Sequence, residues 1–169
     1  MLGGMSEDPR SPAQYASDID AARERLVAFA GGCTDRQWKA APLDGDPRPV
    51  GVVVDHVAHS YEYLAGWMRQ VLAGEAVAVT GDDVDALNAE HAAQAAAVTP
   101  AEAVEHLRRS GAAISRLVAG CSAADLQAGD GRVERFAQVA IRHADSHRAE
   151  IEAGLAASTD HAPADTPPN

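Results

Sequence analysis

A chain of 169 residues is long enough to enclose one apolar core without disulfide help, and its formal net charge of -11 excludes a grip on nucleic acid or an anionic membrane, both of which need clustered cations. Cys33 and Cys121 stand far apart with no Cys-x-x-Cys pair and no secretory apolar segment upstream, so neither a disulfide framework nor a thiolate zinc site is expected, and the compartment reads as reducing and cytoplasmic. The longest nearly apolar run, residues 50–54, is broken by Asp55 and falls far short of the roughly 20 residues of a spanning helix.

Residues 1–12 (MLGGMSEDPRSP) and 158–169 (STDHAPADTPPN) are rich in Gly, Pro, Ser and Asp and carry too little apolar surface to offset ordering, so both are expected to stay outside a single folded domain over 13–157. The first helix is predicted from Ala13 to Ala30, with Ile19, Ala22, Leu26 and Phe29 inward and Gly31-Gly32 as its stop. The second follows DGDPRP, where Pro49 suits a first turn, and runs to about Ala73 before Gly74. A shorter piece covers Asp82 to Ala97. Thr99-Pro100 with Glu102 restarts a helix carrying Ala103, Leu107, Ile114 and Leu117 up to Gly120, and the last helix spans Val133 to Ala157. No stretch alternates as a strand does. The expectation is an all-α four-helix bundle, an architecture whose core commonly hosts metal sites.

The last helix contains RHADSHRAEI, in which His143 and His147 are four apart and therefore share a face. At 100° per residue they fall in one stripe with Phe136, Ala140 and Ile151, so both are expected to point inward. Two readings compete: a pair of neutral core histidines, or two ligands of one ion that needs a third. On the second helix His56 lies at the margin of the stripe Val53, Val57, Ser60, Leu64 and Trp67, whereas His59 shares a face with Asp55, Glu62 and Gly66 and reads as a solvated residue. His91 and His106 sit among polar helical positions, and His161 belongs to the tail.

Taken together, DRQWKAAPLDGDPRPVGVVVDHVAHSYEYLAGW, then ALNAEHAAQAAAVTPAEAVEHLRRSGAAISRLVAGCSAADL, then HADSHRAEI resemble the DinB-like (YfiT-like) four-helix-bundle family, relatives of mycothiol-dependent maleylpyruvate isomerase, over most of residues 13–157. The resemblance implies one metal-binding histidine on the second helix and two more as HxxxH on the last, which map onto His56, His143 and His147. Many members read His-Arg-Gly-Gln-Ile where this chain has HRAEI, which puts Glu150 in the place of Gln. On the helical wheel Glu150 projects near His143, as a partner of a ligand, a carboxylate near bound water or an exposed ion-paired residue.

The function implied by the resemblance is that of a metal-dependent enzyme that activates a low-molecular-weight thiol of mycothiol type, as an S-transferase or an isomerase. The divalent ion is left open among zinc, nickel, iron and manganese. Neither cysteine sits on a histidine-bearing face, so the sulfur nucleophile is expected from outside. Competing readings are a non-catalytic metal-binding module of stress-response or structural kind, and a metal-dependent hydrolase with Glu150, Glu90 or Asp55 as base. Tyr63, Trp67 and Phe136 share the helical face of the ligands, either lining the pocket or packing the core. Expected partners are a small-molecule substrate and a second copy of the chain in a homodimer, with no nucleic acid and no membrane.

Overall fold

Five of the helix starts among the described residues are fixed by short polar side chains. Ser11, Thr34, Thr80, Thr99 and Ser122 each accept a hydrogen bond from the backbone N–H three residues on, and Gln14, Gln37, Asp83, Glu102 and Asp125 reach back to the capping residue's own N–H. Each such reciprocal pair satisfies donors that a helix end leaves orphaned. The computed structural model describes residues 10–160, and among them the helices are α1 (Pro12–Gly32), α2 (Asp35–Lys39), α3 (Val50–Leu72), α4 (Gly81–Gln94), α5 (Pro100–Ala119), α6 (Ala123–Leu126) and α7 (Ala128–Asp160). No strand occurs among those residues, and no helix is long and apolar enough to cross a membrane.

Several expected boundaries move. Ser11 and Pro12 cap and open α1 instead of belonging to an unstructured segment, because the capping box fixes them; residues 1–9 of that segment lie outside the described residues. At the other end α7 continues past Ala157 to Asp160, and residues 161–169, His161 included, lie outside the described residues. The piece expected to reach Ala97 ends at Gln94. The short helices α2 and α6 were not anticipated, although Thr34 with Gln37 and Ser122 with Asp125 carry the same capping signal as the longer elements.

The four long helices enclose one core. α1 packs on α5 and α7, α3 packs on the same two, and α1 and α3 scarcely meet, so α1 and α3 occupy one diagonal. α3 is the most enclosed element, with every residue from Val50 to Ala58 buried. α7 meets the bundle through a seam of Val133, Ala137, Ala140, Ala144 and Ile151, all fully buried, whose small members allow close approach. Phe136, His143 and His147 flank this seam half-buried, so the inward stripe lies a fraction of a turn away from the expected one. α7 is interrupted near its start, where Gly129, Asp130 and Gly131 all adopt left-handed backbone (φ 60°, 57° and 76°). Glycine takes these angles without penalty and Asp is among the few other residues that tolerate them. The continuous helix therefore begins at Arg132, close to the expected Val133.

Trp38 of α2 closes one end of the core: its indole N–H donates to the Val98 carbonyl at 2.9 Å and its ring lies over Gly51. A Cβ at Gly51 would meet Trp38 Nε1 at 2.5 Å, whereas one at Gly66, on the same helix, would meet nothing within 4 Å. Replacing glycine by alanine inside a helix ordinarily gains about 0.5–1 kcal/mol. Gly66→Ala should show that gain, and Gly51→Ala should instead lose about 1–3 kcal/mol because overpacking outweighs propensity. Urea denaturation of the two variants measures both signs, and a stabilised Gly51→Ala would contradict the packing described.

Candidate metal centre

His56 projects from the enclosed helix α3, and His143 and His147 project from adjacent turns of α7, which packs against it. Their rings converge. Centroids are 4.9 Å apart for His56 and His143, 5.5 Å for His56 and His147, and 4.5 Å for His143 and His147. One nitrogen from each ring lies within 4.8 Å of the other two, a set that can hold one metal ion. The Nε2 atoms of His56 and His143 are 2.9 Å apart. Two imidazole lone pairs tolerate that distance only with a proton or a cation between them.

The rings are held neutral. Burial, reinforced by the mutual repulsion of the cluster and by the Arg48 charge, pushes His56 down to about 2 and His143 down to about 4. Burial also lowers His147, with Glu150 opposing the shift. Glu150 sits 3.2 Å from His147 Nδ1, and it is His147 rather than His143 that it contacts. The Nδ1–H of His147 donates to this carboxylate, which leaves Nε2 as the coordinating atom. A cavity of about 390 Å³ opens over the site and is lined by Val139, Arg142, His143, Ser146, His147 and Glu150. Tyr63, Trp67 and Phe136 form a half-buried row, with centroids 4.8 Å and 5.8 Å apart, that packs against the core two helical turns from His143 and is not part of that lining. Asp46 and Arg48 form a two-pronged ion pair on the loop before α3. Cys33 caps α1 and Cys121 follows α5; burial raises both thiols, which makes them weak nucleophiles.

Outside the triad, the described histidines His59, His91 and His106 are not the bland surface residues expected from their positions. His59 stays out of the triad and stacks on His91 at 4.8 Å. His91 is the buried side chain of α4, and its Nε2–H donates to Asp55 Oδ2 at 2.9 Å. His106 of α5 donates from Nδ1 to Asp55 Oδ1 at 2.8 Å and places Nε2 3.1 Å from Glu62. Burial would raise Asp55, but the hydrogen bonds from His106 and His91 outweigh it and hold the carboxyl well below its ordinary range. Both Asp55 oxygens are thereby occupied, and Asp55 is not part of the lining of the cavity over His143. Glu90, another of the three candidate bases, is exposed and accepts from Gln94. The signal for this second cluster was the spacing Asp55, His59, Glu62, which lies on one helical face; the partners on α4 and α5 were not visible from it.

Fold and site together define an all-α bundle with three convergent imidazoles drawn from two of its long helices. The chain belongs to the DinB superfamily, whose sequence profile matches residues 18–151. No curated protein and no solved structure matches it.

The Asp55 cluster has a defined pH window. The hydrogen bond to Asp55 raises His106 above its ordinary 6.5, so its contribution is complete at lower pH and fades as pH rises through the raised value. Asp55 is depressed, so its contribution is present above the ordinary carboxyl value and fades only in strong acid. The loss of stability in His106→Gln should therefore be largest between about pH 4 and 6.5 and shrink toward pH 9. Thermal melts of the variant and the parent across that range measure it; a loss that grows with pH would reverse the assignment of charge.

Proposed function

We propose that the protein is a divalent-metal-dependent enzyme in which His56, His143 and His147 hold one ion, and in which a small thiol of mycothiol type is transferred to an electrophile or used in an isomerisation. The observation that carries this reading is the convergence of three imidazoles, of which His143 and His147 line an open cavity while His56 backs them from the buried helix α3. When bound, the ion supplies Lewis acidity that lowers the pKa of a coordinated thiol from about 8.5.

The chain's own groups do the rest. Three neutral ligands leave the full charge of an ion uncompensated, which favours an anionic fourth ligand such as a thiolate. Glu150 fixes the tautomer and orientation of His147. The protein contributes no reactive cysteine, so the sulfur comes from the co-substrate. In the transfer the thiol proton leaves to solvent, a carbon–sulfur bond forms, and the leaving group departs with its bonding pair. A purely structural role for the ion is disfavoured because α3 and α7 already meet through a continuous apolar seam. Of the three candidate bases for hydrolysis, Asp55 spends both oxygens on histidines and Glu90 stands at the surface, which leaves that reading to Glu150, a carboxylate already engaged by His147.

Protein purified without a histidine tag should bind one equivalent of zinc or nickel. His56→Ala should abolish stoichiometric binding while His59→Ala keeps it; equal retention by both would remove the assignment. Ordinary imidazoles release metal as pH falls below about 6.5. Because these rings are held neutral, affinity should stay level to about pH 6 and weaken only at lower pH. Steep loss directly beneath pH 6.5 would mean that the rings titrate normally.

Thioether formation from mycothiol, bacillithiol or glutathione with monobromobimane tests the chemistry. The metal-loaded protein should accelerate it with at least one thiol, and chelation or His143→Ala should abolish the acceleration. Rates equal to the uncatalysed reaction for all three thiols would leave a non-catalytic binding module.

A further inference from the structure

His56 ligates through Nε2, so its Nδ1 must carry the proton and needs an acceptor. That Nδ1 is fully buried and has no partner. Across the interface between α3 and α4, His91 has the complementary deficiency. Its Nε2–H is committed to Asp55, which leaves a bare Nδ1 lone pair, and that atom is also fully buried and unpartnered. The two rings are 5.9 Å apart. Buried polar atoms without partners are rare in native proteins, and two of opposite sense on neighbouring rings are each other's natural explanation. At that separation one intervening water would complete the bond without disturbing the contact of His91 with Asp55.

We propose that His91 is a positioning residue for the metal ligand His56, in a chain Asp55–His91–His56 that orients the ligand and raises its basicity. The proposal rests on the metal-binding reading of the triad. It gives His56 what Glu150 gives His147, a hydrogen-bond acceptor behind the coordinating ring. It also accounts for α4, an otherwise polar helix whose buried side chain is this imidazole and whose charged residues face outward. Asp55 sets the tautomer: without a carboxylate at Nε2, His91 could equally present an N–H to His56 and repel it.

The test uses the cobalt-loaded full chain. Each ligand ring should give one exchangeable, paramagnetically shifted N–H resonance. That of His56 should exchange slowest and show cross-relaxation to the ring protons of His91, a measurement that needs no variant. His91→Leu, which keeps bulk but removes both hydrogen-bonding atoms, should weaken cobalt affinity by about 10–100-fold and shift the visible d–d bands. His91→Gln retains one donor and one acceptor and should recover most of both. His106→Gln disturbs the same carboxylate without touching His56, and should lower stability while leaving the cobalt spectrum in place. A His56 N–H that exchanges as fast as the other two, with no contact to His91, overturns the proposal. So does a folded His91→Leu with parental affinity and spectrum. Failure of the parent chain to bind cobalt stoichiometrically would remove the metal reading itself and this inference with it, whereas normal binding with an indifferent His91 removes only the latter.

Discussion

Asp55 carries a carboxylate into α3 along a stretch where every residue from Val50 to Ala58 is withdrawn from water. An isolated charge in such surroundings costs several kcal/mol, and it persists only if donors are brought to it. His91 and His106 meet that demand from two different helices. One buried charge thereby fixes where α4 and α5 lie against α3. The arrangement also polarises the central helix: one face carries the carboxylate and its two imidazoles, and the next residue along the chain, His56, turns toward α7 and the triad.

The electrostatic character of the two faces is opposite although histidine dominates both. Beside Asp55 and Glu62, His106 gains a proton's worth of stabilisation from the carboxylates. On the triad side His56 and His143 have no carboxylate in contact, and burial with mutual repulsion strips the proton away. His106 is thus favoured as an ion-pairing partner while His56 and His143 keep their lone pairs, according to what faces each ring. The overall acidity of the chain does not decide either outcome, since one chain holds both.

Much of this was legible in the sequence because periodicity reports burial. The four long helices, their approximate limits and the choice of His56 over His59 followed from which positions recur every three to four residues. The apolar seam of α7 was only partly readable: Ala140 and Ile151 lie on the expected stripe, but alanine gives a weak signal and the larger Phe136 drew the stripe away from the fully buried Ala137 and Ala144. The short helices α2 and α6 were overlooked because four or five residues show no period at all, and only their caps announce them. His91 and His106 read as surface residues since each is isolated on its own helix. Their meaning lies in a contact with Asp55, 36 and 51 residues away, that no local pattern encodes.

The left-handed triplet Gly129–Asp130–Gly131 bears on how the HxxxH pair is aimed. In an unbroken helix each residue hands its rotational phase to the next, so any change in the length of the preceding segment would turn both imidazoles by about 100° per residue. The reversal of backbone hand interrupts that transmission, much as a swivel isolates one shaft from the torque on another. Downstream of it, the azimuth of α7 is chosen by the seating of its alanines against the neighbouring helices. A change in length of the connection that includes α6 would consequently leave the bearing of His143 and His147 referenced to the core.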